Sequence, residues 1–322
     1  MKSYWIRARS GKTSLEARDI PMPQVRADEI LLRVRATALN RGEFNPRYQA
    51  EGGAKPGGHE AAGEVHAVGD AVKGIKPGER IMGRAKNGYA EYSLMNAYEA
   101  MRVPERLTWE QAAGVPLVFL VTYDMLYPYG KLKSGEWLLV TGVSSGVGVA
   151  CLQAGKVIGA RVIGTSGSAD KLARLQAIGL DFGIHTRAPD FASRVKTITG
   201  GSGANLIVNN VGGSLFPECV RALAFQGRLA TVSTIDGVTK CEIDLEVLHA
   251  NRLELFGVSN RATPAEQRAR TVRGFIRDLL PAFADGRIAP VVDKVFAFDE
   301  LPAAKDYMES NAQVGKIVVR VP

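Results

Sequence analysis

At 322 residues the chain is long for one compact core, so two domains are the natural expectation. Hydrophobic residues make up 46% and charged residues 23%, the balance of a soluble globular protein, and no apolar run reaches the roughly 18 residues of a membrane helix. The formal charge of +8 is scattered, without a dense basic run or an interleaved aromatic platform, which argues against nucleic acid as a partner.

The three cysteines, Cys151, Cys219 and Cys241, are far apart and show no CxxC spacing, so neither a disulfide framework nor a structural zinc cluster is indicated. The opening Met1-Lys-Ser-Tyr-Trp-Ile-Arg7 lacks a signal-peptide core, and the expected location is the cytoplasm. Residues 1–114 hold short alternating segments broken by Gly and Pro, among them 29–38, 62–69 and 80–83, which predict a compact, mostly antiparallel β domain. From about 115 the texture changes. Apolar strands at 137–141, 161–165, 183–185, 206–209, 227–233 and 254–258 alternate with helical stretches, the pattern of a doubly wound parallel sheet. One Arg-rich helix is predicted over 264–284. The tail alternates again at 291–298 and 315–321, around a helix near 301–310, and is expected to return to the first domain. The expected division is 1–114 with 291–322, against 115–290, with a cleft between the two domains.

The second half is organised by 137–148, where an apolar strand runs into Thr141-Gly-Val-Ser-Ser-Gly-Val-Gly148 and then into apolar positions at helical spacing. Glycines at 142, 146 and 148 let the backbone turn sharply and approach a ligand, while the helix N-terminus offers free N–H groups to a pyrophosphate. The same pattern also occurs as a plain βα turn. The loop is not a P-loop, because no Lys-Ser/Thr pair closes it. At the end of the next strand an NAD-preferring protein usually carries an Asp or Glu for the ribose hydroxyls. This chain has Thr165-Ser-Gly-Ser168, with Lys171 one turn into the following helix, a set that suits the 2′-phosphate of NADPH. Alternatively Lys171 only solvates a helix start.

Together these residues resemble the zinc-free quinone oxidoreductases of the medium-chain dehydrogenase/reductase superfamily. The landmarks are Ala38-Leu-Asn-Arg-Gly42, Pro56-Gly-Gly-His-Glu60, Ala112-Ala-Gly-Val-Pro-Leu117, Ser144-Ser-Gly-Val-Gly148, Val211-Gly-Gly213 and Gly315-Lys-Ile-Val318. The resemblance implies an α/β fold in which a Rossmann-type doubly wound parallel sheet joins a mostly β, GroES-like catalytic domain formed by both chain ends. It also implies NADPH as cofactor, a small-molecule electron acceptor and a homodimer. The superfamily's zinc enzymes are similar at Gly58-His59-Glu60, but Asn40 stands where they carry a first Cys ligand. One His and a carboxylate cannot fill a catalytic zinc site. Short-chain dehydrogenases share the glycine loop but place it near the start of the chain, ahead of their Tyr-x-x-x-Lys pair, and that class is rejected.

The implied chemistry is hydride transfer to a quinone or activated enone, with an enoyl thioester or other double bond as alternative substrate and a non-catalytic NADPH sensor as the alternative from another class. Asn40 is the first choice beside the nicotinamide, where its amide would donate to an oxyanion, although it could equally cap the turn before Arg41. Tyr48 is the second, as a proton source or stacking face. Resemblance further sets Val121, Ser145, Gly146 and Val147 along the cofactor, Ser166, Gly167, Lys171 and Thr186 at its adenosine phosphate, Asn210 and Ser233 at strand ends facing it, and Phe256 and Val258 beside the nicotinamide.

Overall fold

Alternation in the first nineteen residues is resolved by a tight hairpin. Lys2–Arg9 (β1) pairs antiparallel with Lys12–Asp19 (β2) across Ser10 and Gly11, whose φ angles of 51° and 71° give the doubly left-handed turn that matches strand twist. A computed structural model of the chain describes residues 1–46 and 52–322. Its contacts divide it into two compact units, Met1–Leu117 with Pro264–Pro322, and Val118–Thr263.

In the first unit Ala54–Pro56 (β4) adds to the free side of β1. The larger sheet is built on Glu29–Ala38 (β3), buried at eight of its ten positions. Around it lie Glu60–Val68 (β5), Arg80–Arg84 (β6), Tyr92–Asn96 (β7), Met101–Arg102 (β8) and, from the far end of the chain, Val292–Ala297 (β15) and Lys316–Arg320 (β16). The order is β15-β16-β3-β5-β6-β8, with β7 also paired to β3, and only β15 and β16 run parallel. Ile6, Ile30, Leu32, Ile81, Met95, Ile317 and Val319 fill the core, so both chain ends contribute to one hydrophobic cluster.

The second unit is a six-stranded parallel sheet. Trp137–Val140 (β9), Arg161–Ser166 (β10), Phe182–His185 (β11), Ala204–Asn209 (β12), Leu223–Thr231 (β13) and Glu254–Gly257 (β14) stand in the order β11-β10-β9-β12-β13-β14. In sequence rank that is 3-2-1-4-5-6, the doubly wound arrangement whose direction reverses between its first and fourth strands. Trp109–Ala113 (α1) precedes Pro116–Leu126 (α2), which leads into this unit, and Gly146–Ile158 (α3), Ala169–Gln176 (α4), Ala192–Ile198 (α5), Phe216–Ala222 (α6) and Leu245–Ala250 (α7) connect its strands. β9 and β12 are buried through Leu138, Leu139, Leu206, Ile207 and Val208, as expected for strands covered on both faces.

Two expectations change. The single helix over 264–284 is two, Ala265–Asp278 (α8) and Leu280–Ala284 (α9), interrupted at Leu279. Pro281 has no N–H for the carbonyl four residues back and its ring clashes there, so α8 cannot run through it. In the first turn of α9, where that N–H would be unpaired anyway, it is tolerated. In addition, 264–290, assigned from sequence to the nucleotide domain, clusters with the first unit. There Arg268 of α8 ion-pairs at 2.7 Å with the buried Glu99 and donates to the Tyr98 hydroxyl at 2.9 Å. Among the described residues no helix is long and apolar enough to cross a membrane.

Candidate active site

In open α/β sheets ligands bind outside the carboxyl ends of the strands, where the strand order switches. Here the loop after β9 and the loop after β12 flank that point. Gly142 adopts φ +60°, its N–H donates to Thr165 Oγ1 at 3.3 Å, and Val143 N donates to Thr165 O at 3.0 Å. Ser145 caps α3, its Oγ accepting from Gly148 N at 3.1 Å. A Cβ at Gly148 would lie 2.5 Å from Val143 O and 2.6 Å from Gly142 O, so only glycine lets the helix start this close beneath the loop. Val147 and Gly146 open the helix and are half-buried. Glycines at 142, 146 and 148 leave this turn free of side-chain bulk, a backbone shape that fits a diphosphate.

The loop is tied to its neighbour by two asparagines. Asn209 is fully buried. Its Oδ1 accepts from Val211 N (3.1 Å), Gly212 N (3.2 Å) and Thr141 Oγ1 (3.3 Å), while its Nδ2 donates to Gly212 O (2.8 Å). Asn210 N donates to Thr141 Oγ1 at 2.9 Å, and Asn210 Nδ2 donates to Ser145 Oγ. On the far side Gly212, at φ +145°, packs against Asp236, where a Cβ would fall 2.0 Å from Oδ1. Partial burial opposes ionisation of Asp236, but bonds from Ser214 Oγ, Ser214 N and Val238 N hold its carboxyl below its ordinary pKa. Asn209 and Asp236 escaped the sequence reading because both act through turns whose geometry a sequence does not display.

At the end of β10, Ser166 Oγ accepts from Ser168 N (3.3 Å) and Ser168 Oγ accepts from Lys171 N (3.4 Å), capping α4. Gly167 lies under the Arg187 side chain, a residue missed from sequence. Thr186 gives its hydroxyl hydrogen to Asp190 Oδ1 at 2.7 Å, which removes the donor expected of it. Val121 is buried in α2, while Ser233 is half-buried just beyond β13. Phe256 sits in β14 with its ring 6.1 Å from that of Tyr129, and Val258 N donates to Thr231 O at 2.9 Å.

The first unit carries its own polar cluster. Pro56-Gly-Gly-His-Glu60 turns through Gly58 at φ +88°, where a Cβ would meet Tyr89 N at 2.3 Å. Gly58 N donates to Glu43 Oε2 at 3.0 Å. Glu60, wholly buried, accepts at Oε1 from Lys316 Nζ and Asn40 Nδ2, both at 2.8 Å, and at Oε2 from Leu117 N at 2.8 Å. Lys316 also donates to Asn40 Oδ1 (2.8 Å) and Leu39 O (3.0 Å). Burial first, then the carboxylates of Glu43 and Glu60, raise the Tyr89 phenol well above its ordinary pKa and keep it protonated.

Asn40 differs from expectation. Its second amide hydrogen goes to Glu43 Oε1 at 3.0 Å, so both hydrogens are taken by carboxylates and the amide has none to offer an oxyanion. The alternative cap is not made by its side chain either. Arg41 donates to Met308 O (2.6 Å) and Asn311 Oδ1 (2.8 Å). These close the end of Leu301–Glu309 (α10). His59 is half-exposed, and its imidazole makes no hydrogen bond among the described residues. Tyr48 lies outside the described residues. Among those that are described, no three His, Cys, Asp or Glu side chains cluster as metal ligands.

A parallel sheet of this order, with a glycine turn at its switch point, defines a Rossmann-type dinucleotide-binding unit, here accompanied by a GroES-like β unit. The family model for the alcohol dehydrogenase GroES-like domain matches residues 26–115, and that for zinc-binding dehydrogenases matches residues 146–275. The chain belongs to the medium-chain dehydrogenase/reductase superfamily and is an oxidoreductase of that superfamily.

Among solved structures, a mycobacterial protein complexed with NADPH is similar at 26% identity and TM-score 0.88, covering 100% of both chains. A mycobacterial quinone oxidoreductase is similar at 27% identity and TM-score 0.86 with the same coverage. Among curated proteins, a highly reducing polyketide synthase of Alternaria alternata is 29% identical over 82% of this chain and 10% of its own length. The chain spans 10% to 14% of the curated relatives it matches.

Proposed function

We propose that the chain is an NADPH-dependent, zinc-independent reductase that acts on a quinone or activated enone. The carrying observation is the glycine crevice at the strand-order switch, combined with Ser166-Gly167-Ser168 in place of a carboxylate at the end of β10. Ser145, Gly146 and Val147 would hold the pyrophosphate, while Ser166, Gly167 and Lys171 would receive the adenosine phosphate. Thr186 adds little there, because Asp190 takes its hydroxyl. Asn210, Ser233, Val121, Phe256 and Val258 would line the path toward the nicotinamide. The similarity to a mycobacterial NADPH complex supports this choice of nucleotide.

Bound, NADPH supplies hydride, and with one proton a quinone becomes a hydroquinone. The chain's residues bind, orient and exclude water. Asn40 has a positioning part, since Lys316, Glu43 and Glu60 consume its polar atoms. Zinc-independence rests on the same cluster. Both oxygens of Glu60 are committed, with the Lys316 ammonium already beside them, and Asn40 offers an amide where a thiolate ligand would be needed.

The polyketide synthase relatives favour a second reading, reduction of an enoyl thioester. A panel decides between them: NADPH is mixed with quinones, enones and enoyl thioesters while the absorbance of the reduced cofactor is followed. Turnover of quinones or simple enones supports the first reading, and turnover of thioesters alone supports the second. Binding without oxidation across the whole panel would refute both and leave a nucleotide-binding protein without catalysis.

A further inference from the structure

We propose that Arg187 is the side chain that selects a 2′-phosphorylated nucleotide, from a seat over Gly167. This deepens the NADPH reading and rests on it. β10 and β11 are parallel neighbours, with Ser166 beside His185, and Thr186 N donates to Ser166 O at 3.0 Å, continuing the pairing past the strand ends. Arg187 is therefore delivered to the tip of β10 by the adjacent strand. A Cβ built on Gly167 would stand 2.1 Å from Arg187 Nε, 2.5 Å from Cγ and 2.8 Å from Cδ, so the arginine stem lies on the glycine backbone.

Ser166 Oγ and Ser168 Oγ each accept a backbone N–H and keep a hydroxyl hydrogen for a ligand, but they bring no charge, and Thr186 donates its hydroxyl to Asp190. The nearby Arg194 is paired with Asp190 at 3.3 Å. Arg187, by contrast, is exposed and makes no hydrogen bond or ion pair among the described residues. A guanidinium held at its stem, with its planar fork unspent, matches the geometry of a phosphate monoester. The absence of a side chain at Gly167 is what provides the seat.

The test measures binding by calorimetry for NADPH, NADH, 2′,5′-ADP and 5′-AMP. Arg187→Ala is expected to weaken NADPH and 2′,5′-ADP roughly tenfold to a hundredfold and to leave NADH and 5′-AMP unchanged. Gly167→Ala keeps the charge but puts a methyl group where the stem lies, and should lower the NADPH preference in the same direction. Arg187→Lys should keep part of it. An unchanged NADPH-to-NADH ratio in Arg187→Ala, or an equal loss for both nucleotides, would overturn the assignment while the NADPH reading stood. A wild-type protein that binds neither dinucleotide would instead remove the reading itself.

Discussion

Replacing Lys316 by Met isolates the polar cluster of the first unit. Methionine keeps much of the side-chain length, so the change is chiefly loss of the ammonium and its three bonds, to Leu39 O, Asn40 Oδ1 and Glu60 Oε1. The side chains of Lys316 and Glu60 are 6% and 0% exposed, so water cannot take over the vacated role. Stranding one member of a buried ion pair costs about 3–5 kcal/mol. Asn40 Nδ2 and Leu117 N still donate to Glu60, which argues for the lower half of that range. For a unit of this size a loss of about 3–4 kcal/mol should lower the melting temperature by roughly 6 to 16 °C in differential scanning calorimetry.

Glu60→Gln in the same chain removes the stranded charge, and the double variant should recover at least about 1.5 kcal/mol of the loss in a double-mutant cycle. The melting transition of the nucleotide unit should stay in place. A single variant within about 1 kcal/mol of wild type, or strictly additive losses, would refute the reasoning.

Gly148→Ala should favour helix by about 1 kcal/mol, yet it presses a methyl group onto the oxygens of Val143 and Gly142. NADPH affinity, read by fluorescence titration, is expected to fall about tenfold or more, a loss of ~1.4 kcal/mol. A thiol titration of the native protein at pH 8 should register only Cys241, the exposed cysteine, with the other two reacting after denaturation. Burial pushes the Cys151 thiol up to about 12 and the Cys219 thiol higher still, so neither forms thiolate at that pH. Glu16, bonded first by Arg7 and then by Arg18, has its carboxyl lowered to about 2. A depressed acid stabilises the fold above its ordinary value of 4.5 and loses that contribution as the pH falls toward 2. Carboxyl NMR should find its midpoint near there, and Arg7→Ala should move it upward.

Much of the architecture was legible because it is written in local signals. The six parallel strands announce themselves as apolar runs between turns, and the Thr141–Gly148 loop carries its glycines where the close approach needs them. Contacts between distant segments were not legible. Lys316 reads as one residue of a closing strand, and nothing near it in sequence says that its ammonium meets Asn40 and Glu60. Asn40 therefore reads in sequence as carrying a free amide, which the fold consumes. Arg187 is an ordinary surface arginine in sequence, and only the register of β10 and β11 lays it on Gly167. The allegiance of α8 was hidden for a similar reason, since its Arg-rich face gave no sign that Arg268 would close on the buried Glu99.

The pairing of β16 with β3 constrains the order of biosynthesis. As the polypeptide leaves the ribosome, residues 1–117 emerge without the strand that must lie against Thr37 and Ala38, whereas 118–263 hold all six of their sheet partners. At ordinary elongation rates of roughly 5–20 residues per second, the early segment waits on the order of 10–40 s for that strand. During that interval the edge of β3 that β16 will cover stays open, and nascent chains are then most exposed to mispairing and to capture by chaperones.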